Sequence, residues 1–228
     1  MTKKLVIFGA AEIAALAKFY FTHDSEYEVV AFCVDDEYMD AEIYEGLPVV
    51  PFSKIIDEYP PTEYDMHVAL SYVRLNQLRE AKYNQAKQAG YTLASYVCSK
   101  ATIWPDLAIG DNCFILEDQT IQPTVTIGNN VMLWSGNHIG HGSLIGDHTY
   151  MASHVVISGH SQIGQRCFFG VNATLRDFLS IGDDAFIAMD ASVTKDVPSG
   201  AVVLGNAGTI MSADDRRAQK IKKSYFNL

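Results

Sequence analysis

Between Ile103 and Val193 every sixth residue is large and apolar: Ile103, Ile109, Ile115, Ile121, Ile127, Leu133, Ile139, Ile145, Met151, Ile157, Ile163, Phe169, Leu175, Ile181, Ile187 and Val193. Every third one from Ile109 is followed by glycine, at Gly110, Gly128, Gly146, Gly164 and Gly182, so an 18-residue period overlies the six. Four residues after most of these positions stands a small or β-branched side chain, as at Cys113, Val131, Val155 and Ala173. A helix of 3.6 residues per turn would spread such positions around its whole circumference. Three short strands per 18-residue turn keep them together. Each strand sends two side chains inward, and the chain turns a corner before the next. The pattern predicts a parallel β-helix of triangular section. Five coils stacked about 4.8 Å apart make a prism on the order of 25 Å tall.

The first half follows another rhythm. Lys3–Phe8 reads as an apolar strand ending at Gly9, Glu12–Phe21 has helical spacing, and Tyr27–Val34 reads as a second strand closed by Asp35-Asp36. A short helix over Phe52–Glu58, a strand over Asp65–Ser71, a helix over Arg74–Ala89 with Gly90 at its C-cap, and a strand over Thr92–Cys98 follow. Alternating strands and helices predict a small parallel α/β sheet. The organisation is therefore an α/β domain over 1–98, a β-helix over 99–211 and a short helix over 212–228, with Ser212 as its N-cap and Asp215 at its third position. That helix is expected to close the last coil and protect its open edge.

Composition narrows the function. With 228 residues, 48% of them hydrophobic, the chain can bury a real core and is not a disordered type. A net charge of -10 argues against nucleic acid or anionic membrane as partner. Only residues 212–228 are basic, with 5 cations against 2 anions, which reads first as a solvated helix face. No apolar run is long enough for a membrane span, and the N-terminal run is interrupted by Glu12 and Lys18, unlike a signal peptide. Cys33, Cys98, Cys113 and Cys167 form no C-x-x-C and read as buried apolar residues of a cytoplasmic protein.

The hexapeptide pattern resembles the left-handed β-helix acyltransferases. With the N-terminal segments IFGAAEIA and VDDEYMDAEIYEGLPVV, the chain is similar to sugar acyltransferases of the sialic-acid/bacillosamine type. In those a Rossmann-like domain precedes the β-helix. The resemblance implies an acyl-CoA donor, acetyl-CoA first, a nucleotide-linked amino-deoxysugar as acceptor, and a homotrimer. Acceptor O-acylation stays open, as does a non-catalytic, nucleotide-sugar-binding scaffold.

One outward column is apolar throughout: Phe114, Met132, Tyr150, Phe168 and Phe186, each 18 residues apart. A continuous greasy stripe marks an interface. Cyclic self-association through this face is one reading; cover by the N-terminal domain is the other.

Five of the seven histidines, His138, His141, His148, His154 and His160, fall within residues 138–160. His141 stands two residues after inward Ile139 and matches the position of the family's catalytic histidine. A neutral imidazole can take the proton that an amine must lose when it attacks a thioester. The resemblance gives the Gly159 N–H, one coil on, as the donor for the developing oxyanion. The family often has Glu or Asp directly after the histidine. Here it is Gly142, so Asn137 or a carbonyl is expected to fix the ring, with His138 beside it. The other histidines read equally as surface side chains. A metal site of the γ-carbonic-anhydrase type, with its H-x4-H pair, is not matched by gaps of 3, 7, 6 and 6, and no metal is expected.

By resemblance, coenzyme A lies in a groove between subunits against Gly170, Asn172, Ala173, Met189 and the Gly205-Asn206-Ala207 turn. Gly9, Ala10 and Ala11 stand where a G-x-G-x-x-G loop would stand. A Cβ at Ala11 hinders close approach of a pyrophosphate, which argues against a dinucleotide redox cofactor. The family's nucleotide-linked sugar is held there less intimately. Asp35 and Asp36 fall where the base or ribose is contacted, and Ser71 and Arg74 where the phosphates are. A purely structural α/β cap is the alternative.

Overall fold

The computed structural model describes residues 3–206 and 208–226. The N-terminal domain is built on a sheet in the order β3-β4-β2-β1-β5. Strands β1 (Lys3–Phe8), β2 (Tyr27–Val34), β4 (Leu47–Pro51) and β5 (Tyr64–Val68) run parallel, while β3 (Ile43–Tyr44) forms a hairpin with β4. A one-turn helix, α2 (Ile55–Glu58), follows β4. Strand β1 is buried along its apolar four residues because α1 (Glu12–His23) covers one face of the sheet and α3 (Gln77–Gln88) packs beside β5 on the other.

The hairpin and β4 were not anticipated. They turn at Glu45-Gly46, both at positive φ (48° and 77°), the conformation a two-residue hairpin of right-handed twist requires. The strand expected over Thr92–Cys98 divides: Leu93 bridges Met66, whereas Tyr96–Val97 already pairs with Phe114–Ile115 as the first strand of the prism. The helix expected from Arg74 starts at Gln77, because Arg74, Leu75 and Asn76 all take positive φ.

The second half is a triangular prism of three parallel sheets with seven, six and five strands, each strand two residues long. The first face runs from Tyr96–Val97 to Val202–Val203, the second from Thr102–Ile103 to Ser192–Val193, the third from Ala108–Ile109 to Ser180–Ile181. The sixth-residue apolar side chains and their small partners form one continuous core, with Ile115, Ile139, Phe169 and Ala173 fully buried.

Every corner contains a residue at positive φ, again with period six, from Asn112 to Asp190. The glycines after the third-face strands answer to stacking. A Cβ on Gly128 would overlap Asp147 Oδ1 and stand 2.9 Å from its backbone N; one on Gly164 would stand 2.7 Å from Asp183 N. Those carboxylates cap the coil before them, Asp147 Oδ1 accepting the Asn129 N–H at 2.7 Å and Asp183 Oδ1 the Gln165 N–H at 2.8 Å.

The two domains dock through the greasy stripe. Phe114, Met132 and Tyr150 are buried in one cluster with Leu5, Ala17 and Phe21. Tyr72 packs edge-on against Tyr150 and Phe168, at 5.0 and 4.9 Å between ring centres. The reading of this face as the subunit interface is therefore corrected from Phe114 to Phe168, which the N-terminal domain covers. A polar seam runs beside it where the third face turns into the first. Asn112, Asn130, His148, Arg166 and Asp184 stack along it; α3 fastens to it through Asn76, which donates to Arg166 O and Cys167 O (both 3.1 Å), and through Arg79, which donates to His148 O (2.7 Å) and Asn130 O.

The C-terminal helix α4 spans Arg216–Phe226. Its start is capped by Asp215, whose Oδ1 accepts the Arg217 N–H at 2.7 Å, not by Ser212. None of its residues is buried, so the expected closure of the last coil is not made. Among the described residues no helix is long and apolar enough to cross a membrane.

Candidate active site

His141 sits at the corner between the second and third faces, exposed, with its ring held on two sides. Its Nδ1 lies 2.9 Å from Gln122 Oε1, which also accepts the His141 backbone N–H at 2.9 Å. A carboxamide oxygen only accepts, so the ring proton is on Nδ1 and Nε2 keeps its lone pair. On the other side the ring meets His160 edge-on, 4.9 Å between centres at 86°. Gly159 lies against the free edge: a Cβ there would stand 3.0 Å from His141 Cε1 and 3.1 Å from Nε2. Gly159 O accepts the Phe178 N–H at 3.0 Å, while among the described residues the Gly159 N–H donates to no protein group. A ring nitrogen and an N–H without a protein acceptor thus belong to neighbouring residues of adjacent coils. Acyl transfer to an amine calls for a base beside an oxyanion donor.

The expected orienting group is corrected. Asn137 is buried (1% exposed), with Oδ1 accepting the Val155 N–H at 2.7 Å and Nδ2 donating to Trp134 O at 2.5 Å, so it holds coils together and does not reach His141. His138 projects from the second face between Thr120 and Val156. Gln122 gave no motif. It lies 19 residues before His141, and only the 18-residue coil brings it alongside. His148, His154 and His160 all have positive φ (63°, 60°, 57°), the corner conformation in which His, Asn and Asp are enriched. The histidine cluster is thus in large part a run of corner residues.

No thiol competes as nucleophile. All four cysteines are buried and free. Burial pushes Cys113 up to about 12 and Cys167 to about 11, far from thiolate formation at neutral pH.

The residues assigned to coenzyme A gather at the preceding corner, between first and second faces. Gly170 stacks on Met189, whose Cα would be 2.9 Å from an added Cβ, and Gly205 stacks on Met189 in turn. Met189 is 61% exposed and Asn172 is exposed at φ 59°. Ala173 is corrected: its side chain points into the prism at 0% exposure and its N–H donates to Gly170 O. Asn206 is exposed; Ala207 lies outside the described residues. This corner and that of His141 are separated by the width of the second face, roughly 15–20 Å.

In the N-terminal domain a cleft of ≈ 610 Å³ opens at the C-terminal ends of β1, β2 and β5, lined by Gly9, Ala10, Ala11, Asp35, Tyr38, Arg74 and Lys82, among others. This is where strand order reverses about β1, the place where open α/β sheets take ligands. Lys82 of α3, not anticipated, donates to Asp35 Oδ1 at 2.6 Å. Asp36 is corrected: it faces away, accepting the Ser53 hydroxyl at 2.6 Å and N–H at 3.2 Å, bonds that hold its carboxyl below the usual range. Ser71 is half-buried and does not line the cleft. Among the described residues no group of three or more His, Cys, Asp and Glu is gathered for a metal ion.

This fold and corner site define a class: a Rossmann-like domain followed by a hexapeptide-repeat, left-handed parallel β-helix. Residues 124–159 match the family model described as bacterial transferase hexapeptide (six repeats), and residues 162–195 that of the hexapeptide repeat of succinyl-transferase. Similar solved structures include the acetyltransferase domain of PglB from Neisseria gonorrhoeae in complex with acetyl coenzyme A (21% identity, 92% of this chain and 100% of that one, TM-score 0.79). PerB from Caulobacter crescentus, in complex with CoA and GDP-perosamine, is 20% identical over 93% of this chain and 99% of its own, with a TM-score of 0.80. WeeI from Acinetobacter baumannii is 22% identical over 92% and 100%, with a TM-score of 0.76. At these identities what is shared is the fold. No curated protein sequence matches the chain.

Proposed function

We propose that this protein is an acyl-CoA-dependent N-acyltransferase acting on a nucleotide-linked amino-deoxysugar, with acetyl-CoA as the first donor to test. The observation that carries the reading is the His141 ring, tied at Nδ1 by Gln122 with Nε2 beside Gly159, whose N–H has no protein acceptor among the described residues. PglB and PerB, which share the fold, are described with acetyl coenzyme A and with CoA plus GDP-perosamine respectively.

In the proposed reaction the acceptor amine attacks the thioester carbon directly. His141 Nε2 takes a proton from the nitrogen as the C–N bond forms. Gly159 donates its N–H to the carbonyl oxygen as negative charge builds there. When the C–S bond breaks, the proton on His141 neutralises the departing thiolate. No covalent enzyme intermediate is involved.

The nucleotide part of the acceptor is assigned to the N-terminal cleft, where Ala10 and Ala11 offer backbone and Arg74 offers positive charge, Lys82 being paired with Asp35. One cation and backbone amides can serve the phosphates there without a net positive chain. The coenzyme A corner and the His141 corner lie a face apart in one chain, so a groove using both needs a second copy. A cyclic homotrimer supplies it if the first corner of one protomer meets the second corner of the next. The greasy stripe is already covered, so this association uses the second and third faces.

His141→Asn tests the chemistry. With acetyl-CoA and a panel of nucleotide amino-sugars, kcat is expected to fall by about 10²-fold or more, the scale of a lost general base, while the oligomeric mass by sedimentation equilibrium stays unchanged. Near-normal turnover in that variant removes the assignment.

A further inference from the structure

His141 is flanked by a second feature that the proposed reaction does not use. His160 occupies the same corner one coil on, and its ring stacks on Phe178, 4.9 Å between centres and 11° between planes. Phe178 is 68% exposed and holds φ 57°. A bulky side chain in the left-handed region is a true rarity, unlike Asn or His there, so its conformation is imposed by the corner and its ring is left standing in solvent against His160.

Gly142 completes the arrangement. It follows His141 directly, at φ 67°, and a Cβ on it would lie 2.5 Å from His160 Nδ1 and 2.9 Å from Cε1. Any side chain at 142 would evict the His160 ring. The missing side chain after His141 and the presence of the His160 ring are therefore one feature: the space is taken by an imidazole from the next coil.

We propose that His160, seated over Gly142 and backed by Phe178, is a positioning residue for His141. Gln122 fixes the proton on Nδ1 and holds one edge of the ring. That single bond leaves the ring free to tilt about the Nδ1–Oε1 line. The His160 contact, 86° to the plane of His141, blocks that tilt and keeps Nε2 aimed at the opening beside Gly159. His160 acts through its flat ring and touches neither substrate. The inference rests on His141 being the base.

The test compares His160→Ala and His160→Phe with His141→Asn in the full-length protein. His160→Ala is expected to lower kcat about 10-fold, since small misplacement of a reacting group is costly, with KM for both substrates within about twofold and an unchanged melting temperature. His160→Phe keeps a ring on Phe178 and is expected to recover most of the rate. Wild-type kcat in His160→Ala overturns the proposal, as does an equally low rate in His160→Phe. If His141→Asn itself turns over normally, the failure lies with the base assignment beneath it.

Discussion

At the scale of single residues, the site depends on a tautomer. Gln122 Oε1 can accept but not donate, so it selects the ring form with Nε2 free. Gln122→Ala leaves Nδ1 without a partner, and kcat is expected to fall about 10-fold or more, a group that orients a ligand or base being worth 10–100-fold in comparable sites. Gln122→Glu restores an acceptor and is expected to recover much of the rate. Equal losses in both variants would show that hydrogen-bond acceptance at this position is irrelevant. The histidines illustrate how residue-level signals mislead. Their crowding over residues 138–160 suggests chemistry, yet His148 sits 6% exposed in the domain seam, its Nδ1 2.9 Å from Asn130 Nδ2 and its Nε2 3.6 Å from Glu80.

At the scale of elements, the prism is governed by stacking. A coil lies one strand spacing above the next, and where the chain turns after the third face there is no room for a Cβ. Gly128→Ala would force the Asp147 carboxylate and backbone aside, breaking the cap at Asn129. Overpacking and a lost cap together cost about 2–4 kcal/mol, which lowers the melting temperature by several degrees in a chain of this size. Gly208→Ala is the control, since nothing lies within 4 Å of a Cβ there; equal melting temperatures for the two variants would contradict the stacking account. The same six-residue rule sets the positive-φ corners, filled by Asn, Asp, His or Gly at most positions and otherwise by Thr124, Arg166 and Phe178.

At the scale of the whole molecule, the domains act as one body because the apolar stripe of the prism is their shared core. His67 marks the junction. It is wholly buried between Phe21 and Phe114, 5.0 and 5.4 Å between ring centres, with Nδ1 2.9 Å from Ala94 O. Burial holds its imidazole down to about 4, against an ordinary 6.5. Between those values the unfolded chain binds a proton that the folded chain refuses. Stability is therefore fully present above pH 6.5 and declines as pH falls toward 4, by up to about 1.4 kcal/mol per pH unit. Burial lowers His148 too, with the same sign. Melting temperatures measured from pH 7.5 to 5 are expected to fall, and His67→Gln is expected to flatten the dependence. An unchanged slope in that variant would assign the acid sensitivity elsewhere.

What the sequence determined by itself is everything that repeats or alternates: the triangular prism, its inward residues, its stacking glycines, and the parallel sheet with Gly9 and Asp35 at its ligand end. Periodicity is a local constraint, enforced on each residue by its own strand and corner, so it is written residue by residue. His141 and Gly159 came instead from the resemblance to the hexapeptide acyltransferases; the period adds that they stand one coil apart. Only the tertiary structure decided what meets across coils and between domains. It set Gln122 and His160 on either side of His141, Lys82 against Asp35, Asn137 in a ladder between coils and the greasy stripe beneath α1 and Tyr72. The separation of Lys82 from Asp35 and of the stripe from its cover carries no pattern; for Gln122, His160 and Asn137 the period sets the neighbours but not which atoms meet. Those contacts are settled by how the α/β domain packs its apolar face on the prism and by which side chains the corner geometry then brings within hydrogen-bonding reach.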